Sequence, residues 1–323
     1  MYLQHFGLRE APFSLTPDTS FFFACSSYQE ALNTLLVAAR NGEGFIKITG
    51  EVGNGKTLLC RKFLATINQG KQSTTPIGTQ DQDVAGAPAP RFITAYIPNP
   101  YLEPGSLLMA LAEEFRVPLE KTGDQYQLLK GLTHSLLECA RNGQRALLCL
   151  DEAQAMPLES LEVLRLLTNL ETEKRKLLQV VLFGQPELNE RLKQHSVRQL
   201  RQRISFQYDL KGLRKNELER YLRHRLAVAG YSGETLFSDR AVAKLHRITK
   251  GTPRLVNIVA HKALMLAFSE GRLQVHAGHI RDAAADTPEV HRDWLPWALA
   301  LTAAALIASL GIAWAWFPGM GLK

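Results

Sequence analysis

Apolar residues along this chain follow two rhythms, and the change between them falls about two thirds of the way through. In the first part, short apolar or β-branched runs at 45–49, 91–97, 146–150, 177–183 and 204–210 read as strands. The run at 45–49 is short, β-branched and alternating. Those at 146–150 and 177–183 show no alternation, the signature of strands buried on both faces of a parallel sheet. Between them, 28–40, 58–67, 105–116 and 124–141 carry helical spacing. Strands alternating with helices predict a doubly wound α/β core over 1–210, with any ligand at the carboxyl ends of the strands. From residue 215 onward the strand rhythm stops. Helices at 216–229, 238–250 and 252–269, divided by Gly230, Gly233 and Gly251, predict a small helical domain over 211–287.

Three stretches fit neither rhythm. Residues 1–24 carry Phe6, Phe13, Phe21, Phe22 and Phe23 around the turn signals Ala11-Pro12 and Thr16-Pro17-Asp18, and scattered aromatics of this kind are expected to pack into a core. Residues 68–90 are rich in Gly, Ser, Thr, Gln, Asp and Pro, a composition that predicts a flexible insertion. After a linker at 288–293, residues 294–317 contain no charge at all. As a helix that stretch would be roughly 36 Å long, enough to cross a hydrocarbon core of about 30 Å. Trp294 and Trp297 at one end and Trp314 and Trp316 at the other suit an interfacial aromatic belt. Arg281 and Arg292 before the span, Lys323 after it and an N-terminus without signal-peptide features predict a single-pass protein of the inner membrane. Its large domain would face the cytoplasm, with 318–323 as a short periplasmic tail.

The chain of 323 residues is 46% hydrophobic, enough for a sizeable core, and carries a formal net charge of +7. A basic balance suits nucleic acid, an anionic membrane or a polyanionic ligand without choosing among them. The four cysteines, Cys25, Cys60, Cys139 and Cys149, form no C-x-x-C pair, which argues for buried thiols rather than disulfides or metal ligands.

The chemistry is most legible at Gly50-Glu51-Val52-Gly53-Asn54-Gly55-Lys56-Thr57, which matches G-x-x-x-x-G-K-[ST] between the first strand and a helix opening through Leu58. The glycines let backbone N–H groups close around phosphate oxygens, and the helix N-terminus adds its own free donors. Lys56 is then expected at the β- and γ-phosphates, and the Thr57 hydroxyl on Mg²⁺. Asp151-Glu152, at the end of the unbroken run 146–150, supplies the second half: Asp151 for the metal, Glu152 to polarise the attacking water. Gln185, just past the run at 177–183, could bond that water or the γ-phosphate, or be an ordinary loop glutamine. Gly251-Thr252-Pro253-Arg254 opens a helix from which Arg254 could reach phosphates. Arg198, Arg201 and Arg203 precede the last strand, where one of them could enter a neighbouring subunit's site.

Taken together, the phosphate loop, Asp151-Glu152-Ala153-Gln154, Gly184-Gln185-Pro186-Glu187-Leu188, Gln202-Arg203-Ile204 and Gly251-Thr252-Pro253-Arg254 resemble an AAA+ ATPase. The opening Phe6-Gly7-Leu8-x-x-x-Pro12-Phe13-x-x-Thr16-Pro17-Asp18 is similar to the general secretion pathway protein A (ExeA-like) family. That resemblance covers nearly 1–285. It implies ATP and Mg²⁺ as cofactors, ring-like homo-oligomers and a role in assembling secretion or pilus machinery. It gives Gln185 the sensor 1 role, Arg254 sensor 2, and Arg203 the arginine finger with Arg201 in reserve. Longer family members carry a periplasmic peptidoglycan-binding domain after the span, so direct peptidoglycan binding is not expected here. The short architecture is closer to the MSHA pilus branch, which makes type IV pilus assembly the first expectation. The rival reading is a DNA-associated AAA+ ATPase of the transposition target-selection type. The basic residues 214–215 and 220–225 read as a solvated helix face rather than a recognition element, so nucleic acid is not an expected partner. A third reading, a nucleotide-binding scaffold without turnover, would suit a chain lacking Lys56 or Glu152, and both are present.

Overall fold

A computed structural model describes residues 1–16, 19–69, 90–117, 125–172 and 175–291. The chain divides into two compact units, Thr16–Leu213 and Met1–Leu15 with the chain from Arg214 onward. The division departs from the expected block over 1–210, because the opening segment groups with the helices that follow the sheet. Its aromatics do pack, as expected. Phe6 and Phe13 are buried within the helical unit, while Phe21 is buried in the other.

The larger unit is built on five parallel strands: β1 (Phe45–Gly50), β2 (Arg91–Ile97), β3 (Gln144–Leu150), β4 (Leu178–Gly184) and β5 (Ile204–Leu210). Their order across the sheet is β2-β3-β4-β1-β5. The registers Gly50↔Leu210, Thr49↔Gly184, Leu150↔Leu182 and Ile97↔Leu150 bring the carboxyl ends of all five strands to one edge. Every residue of β1 and β4 is buried, since both are interior strands with neighbours on each side. Lys47 is buried in the centre of the sheet and donates from Nζ to Asn189 Oδ1 at 2.5 Å.

The strands are covered by α1 (Ser26–Asn41), α2 (Lys56–Gln69), α3 (Pro104–Glu114), α4 (Gln125–Arg141) and α5 (Leu158–Leu167). On one face, Phe45, Leu148, Val180 and Leu182 join Leu107, Leu132, Leu136, Leu161 and Leu164 in a single cluster. The alternate positions Ile46, Ile48, Cys149, Val181 and Phe183 are just as fully buried on the other. Gly42 ends α1 in the left-handed conformation at φ 83°, which a glycine adopts without steric cost. The predicted insertion starts later than its composition suggests. Asn68 and Gln69 still belong to α2, and residues 70–89 lie outside the described part. All four cysteines are buried.

In the smaller unit, helices α6 (Lys215–Val228), α7 (Asp239–Thr249), α8 (Pro253–Ser269) and α9 (Ala277–Ala285) pack around Leu218, Leu222, Leu245, Val256, Val259 and Ile280. Sequence rhythm predicts the first three; α9 is an addition. Ser238 caps α7 by accepting from the Ala241 N–H at 3.3 Å. The opening segment is bound in by backbone and side-chain bonds, Arg9 N–H donating to the Ala229 carbonyl at 2.8 Å and Arg225 donating to the carbonyls of Pro12 and Ser14. Among the described residues no helix is long and apolar enough to cross a membrane; the expected span at 294–317 and its tail lie outside them, as do residues 292–293 of the expected linker.

A side chain at Gly50 tests the register that fixes the sheet's functional edge. A Cβ there would stand 2.9 Å from the Leu210 carbonyl oxygen. Gly50→Ala should push β1 from β5 and lower stability by about 1–3 kcal/mol, measured by chemical denaturation.

Candidate active site

The edge formed by the strand ends holds the predicted phosphate loop. The loop leaves β1 at Gly50 and enters α2 at Lys56, with Gly53 and Gly55 at φ 83° and 84°. L-residues rarely adopt that conformation, which accounts for glycine at both positions. Asn54 is buried and fixes the loop to the sheet by donating from Nδ2 to the Leu210 carbonyl at 2.8 Å. Lys56 is buried as well. Its ammonium folds back onto the loop and donates to the carbonyls of Gly50 at 2.8 Å and Glu51 at 3.1 Å. Burial holds it below the usual lysine value, against the pull of the Glu152 and Asp151 carboxylates. A buried cation held on a glycine loop by two backbone carbonyls fits a polyphosphate.

Thr57 and Asp151 come from strand ends separated by β4, and the Thr57 hydroxyl donates to Asp151 Oδ2 at 2.6 Å. Asp151 is buried, and its carboxyl is pushed above the usual aspartate value by that burial. The Thr57 hydroxyl and the Glu152 N–H, donating at 3.0 Å to Oδ1, oppose the shift. A hard oxygen pair of this kind, costly as a buried anion, fits Mg²⁺ beside a phosphate.

Glu152 occupies the left-handed region at φ 54°, ψ 37°. A non-glycine residue there costs on the order of 1–3 kcal/mol, a cost that surrounding contacts must sustain. Those contacts are two glutamine amides. Gln154 donates from Nε2 to Glu152 Oε2 at 2.5 Å, and Gln185 Nε2 donates to the same oxygen at 3.1 Å. Gln154 also accepts the Gln185 backbone N–H on Oε1 at 2.9 Å, closing a ring of three residues across the tips of β3 and β4. The structure thus brings Gln185 to Glu152, as a residue acting at the reacting end must be.

Arg203 lies elsewhere. It follows a short helix, Arg198–Gln202, and precedes β5, whose first residue pairs with Phe45 at the start of β1. It therefore stands at the opposite end of β5 from Gly50, roughly 20 Å away at a strand's rise per residue. It cannot reach its own chain's phosphate loop. Arg203 is half-buried, whereas Arg198 and Arg201 are exposed. Arg254 is exposed in the first turn of α8, in the helical unit. Glu51 and Val52 are exposed on the loop, and Leu58 is half-buried at the opening of α2. Sequence reasoning missed Gln154 and Tyr28. The first stands inside a quoted motif; the second touches the loop only through tertiary structure.

An AAA domain family model matches residues 39–192. The chain is 37% identical to general secretion pathway protein A of Aeromonas hydrophila over 318 residues, which is 98% of this chain and 54% of that protein. It thus spans about half the length of that relative. Among solved structures it resembles Cdc6p from Pyrobaculum aerophilum, with a TM-score of 0.59, 17% identity and coverage of 85% of this chain and 70% of that one. The ORC2 protein of Aeropyrum pernix, solved as ADPNP–ADP complexes, gives a TM-score of 0.57 at 16% identity, covering 86% and 72%. At such identities these likenesses show a shared fold.

The charged pair at Asp151 makes a testable statement about stability. Its carboxyl keeps its proton to a higher pH in the native state than in the unfolded chain, so stability falls as pH rises through that window above 3.8. Without nucleotide at pH 7, Asp151→Asn should melt about 2–4 °C higher than the parent, with the gain vanishing below the usual carboxylate range. Metal-dependent nucleotide binding should fall in the same variant.

Proposed function

We propose that the chain is an ExeA-like AAA+ ATPase, an oligomeric, membrane-anchored motor or switch whose ATP hydrolysis supports assembly of secretion or type IV pilus machinery. The observation that carries the hydrolytic part is the position of Glu152. Its carboxylate stands one residue beyond the Thr57–Asp151 pair and is held by Gln185 from the next strand tip.

In this reading Lys56 exchanges its two loop carbonyls for the β- and γ-phosphate oxygens of ATP, an exchange its depressed basicity favours. Thr57 and Asp151 hold Mg²⁺, which neutralises charge on the phosphate oxygens. Gln185 turns its amide toward the γ-phosphate, and Glu152, released from one of its two donors, accepts a hydrogen bond from the attacking water. Arg203, too far from its own loop, acts on a neighbouring subunit, with Arg201 in reserve. Arg254 reports the nucleotide state to the helical unit, which serves as a lid.

The secretion-related role is supported by the likeness to general secretion pathway protein A over nearly the whole chain. The pilus role and the membrane anchor rest on the sequence of 294–317 and on the resemblance in domain order. A DNA-associated role is supported by a basic net charge, and the fold is shared with the ORC2 and Cdc6p structures.

Turnover of the detergent-solubilised chain should depend on Mg²⁺ and rise more than linearly with protein concentration. Glu152→Gln should retain ATP binding and lose at least about 100-fold in turnover. Mixing Arg203→Ala subunits into wild-type protein should reduce the rate per wild-type subunit. Tight ATP binding, with turnover that does not change in Glu152→Gln, would overturn the hydrolytic reading. Stimulation by duplex DNA would favour the DNA-associated one.

A further inference from the structure

The phosphate loop carries a restraint that its motif does not specify. Tyr28, in the first turn of α1, is buried and places its hydroxyl 2.7 Å from the Gly55 carbonyl oxygen and 3.1 Å from that of Asn54. The hydroxyl proton is directed to Gly55 O, with Asn54 O as its second acceptor. The fit leaves no room for a side chain at Gly55, since a Cβ there would come within 1.7 Å of the Tyr28 oxygen. The ring itself is fixed edge-on by Phe22, centroids 5.5 Å apart, and Lys62 lies over the Phe22 ring.

A trans peptide group points its C=O and N–H in opposite directions. A donor that captures the Asn54 and Gly55 carbonyls on one side of the loop therefore turns the following N–H groups, those of Gly55 and Lys56, toward the other side. The Gly55 carbonyl also accepts the Leu59 N–H at 3.0 Å, so the first turn of α2 shares in setting that peptide plane. The Asn54–Gly55 plane, beside a glycine at φ near 84° with more rotational freedom than any side-chain-bearing residue, has the greater need of the Tyr28 hydroxyl. Asn54 supplies a second restraint through its amide on Leu210 O. Next along α1, Ser27 Oγ accepts the Lys211 N–H at 3.1 Å and the Tyr208 hydroxyl at 3.3 Å. Tyr28 thus stands on a helix end that is itself bolted to the exit of β5.

We propose that Tyr28 is a positioning residue for ATP: through two loop carbonyls it presets the peptide N–H groups that receive the phosphates. The proposal rests on the ATP-site reading above. It also gives α1 a role beyond packing, because the helix end and the β5 exit meet at the loop from opposite directions in the sequence.

Tyr28→Phe keeps the ring and removes only the donor. In the full chain, the thermal midpoint without nucleotide should stay within about 2 °C of the parent. MgADP affinity should fall about tenfold, consistent with the loss of a hydrogen bond of about 1.4 kcal/mol. The MgADP-induced rise in midpoint should shrink accordingly. In turnover, the KM for ATP should rise about tenfold while kcat stays within about twofold. An equal drop in midpoint with and without MgADP would assign Tyr28 a structural role only and overturn the proposal; so would unchanged MgADP affinity. A parent chain whose midpoint does not respond to MgADP would contradict the ATP site itself, a failure visible before the variant is compared.

Discussion

The hydrogen bond from Thr57 to Asp151 is the interaction on which the rest of the site depends. Thr57 lies in the first turn of the helix after β1 and Asp151 directly follows β3, two strands kept apart by β4. At about 4.8 Å between neighbours, their ends are roughly 10 Å apart, so only side chains reaching inward from both can meet. They meet because the strands are parallel and in register at their carboxyl ends. A slip of one residue in β3 would turn Asp151 to the other face and replace it with an aliphatic side chain. The large apolar cluster against α3, α4 and α5 is what holds that register, and in this sense the core serves the site.

The site is locally costly in three ways, each tied to its chemistry. Lys56 is a desolvated cation, Asp151 a desolvated anion, and Glu152 sits in a strained backbone conformation. Each cost is relieved by something ATP and Mg²⁺ would bring or displace. A phosphate would replace the loop carbonyls around Lys56, and a metal would neutralise Asp151. The strain at Glu152 aims its carboxylate between Gln154 and Gln185 rather than along β3. Burial therefore makes the empty edge less stable than an apolar one, and that same deficit favours ligand.

Much of this was legible in the sequence because it is local. The phosphate loop needs glycines at fixed spacing between a strand and a helix, and the Asp-Glu pair marks the end of an unbroken apolar run. All five strands lie within a few residues of where rhythm placed them. What could not be read depends on contacts distant along the chain. Tyr28 meets Gly55 across 27 positions, and nothing in its helix distinguishes it from a core tyrosine. The partner of buried Lys47, Asn189, lies 142 positions away. The first fifteen residues looked like the start of the ATPase core, yet Arg225 and Ala229 draw them into the helical unit. Gln154 was visible in the motif, and its bond to Glu152 required the left-handed turn that no propensity predicts.

The central claim is that Thr57 and Asp151 together form a metal site that exists for a nucleotide. Mn²⁺ can stand in for Mg²⁺ there, and its binding can be followed by loss of the free-ion paramagnetic signal. The account predicts one Mn²⁺ per chain held tightly in the presence of ADP, weakly in its absence, and lost in Thr57→Val even with ADP. Tight Mn²⁺ binding that ignores ADP, or that persists in Thr57→Val, would contradict it.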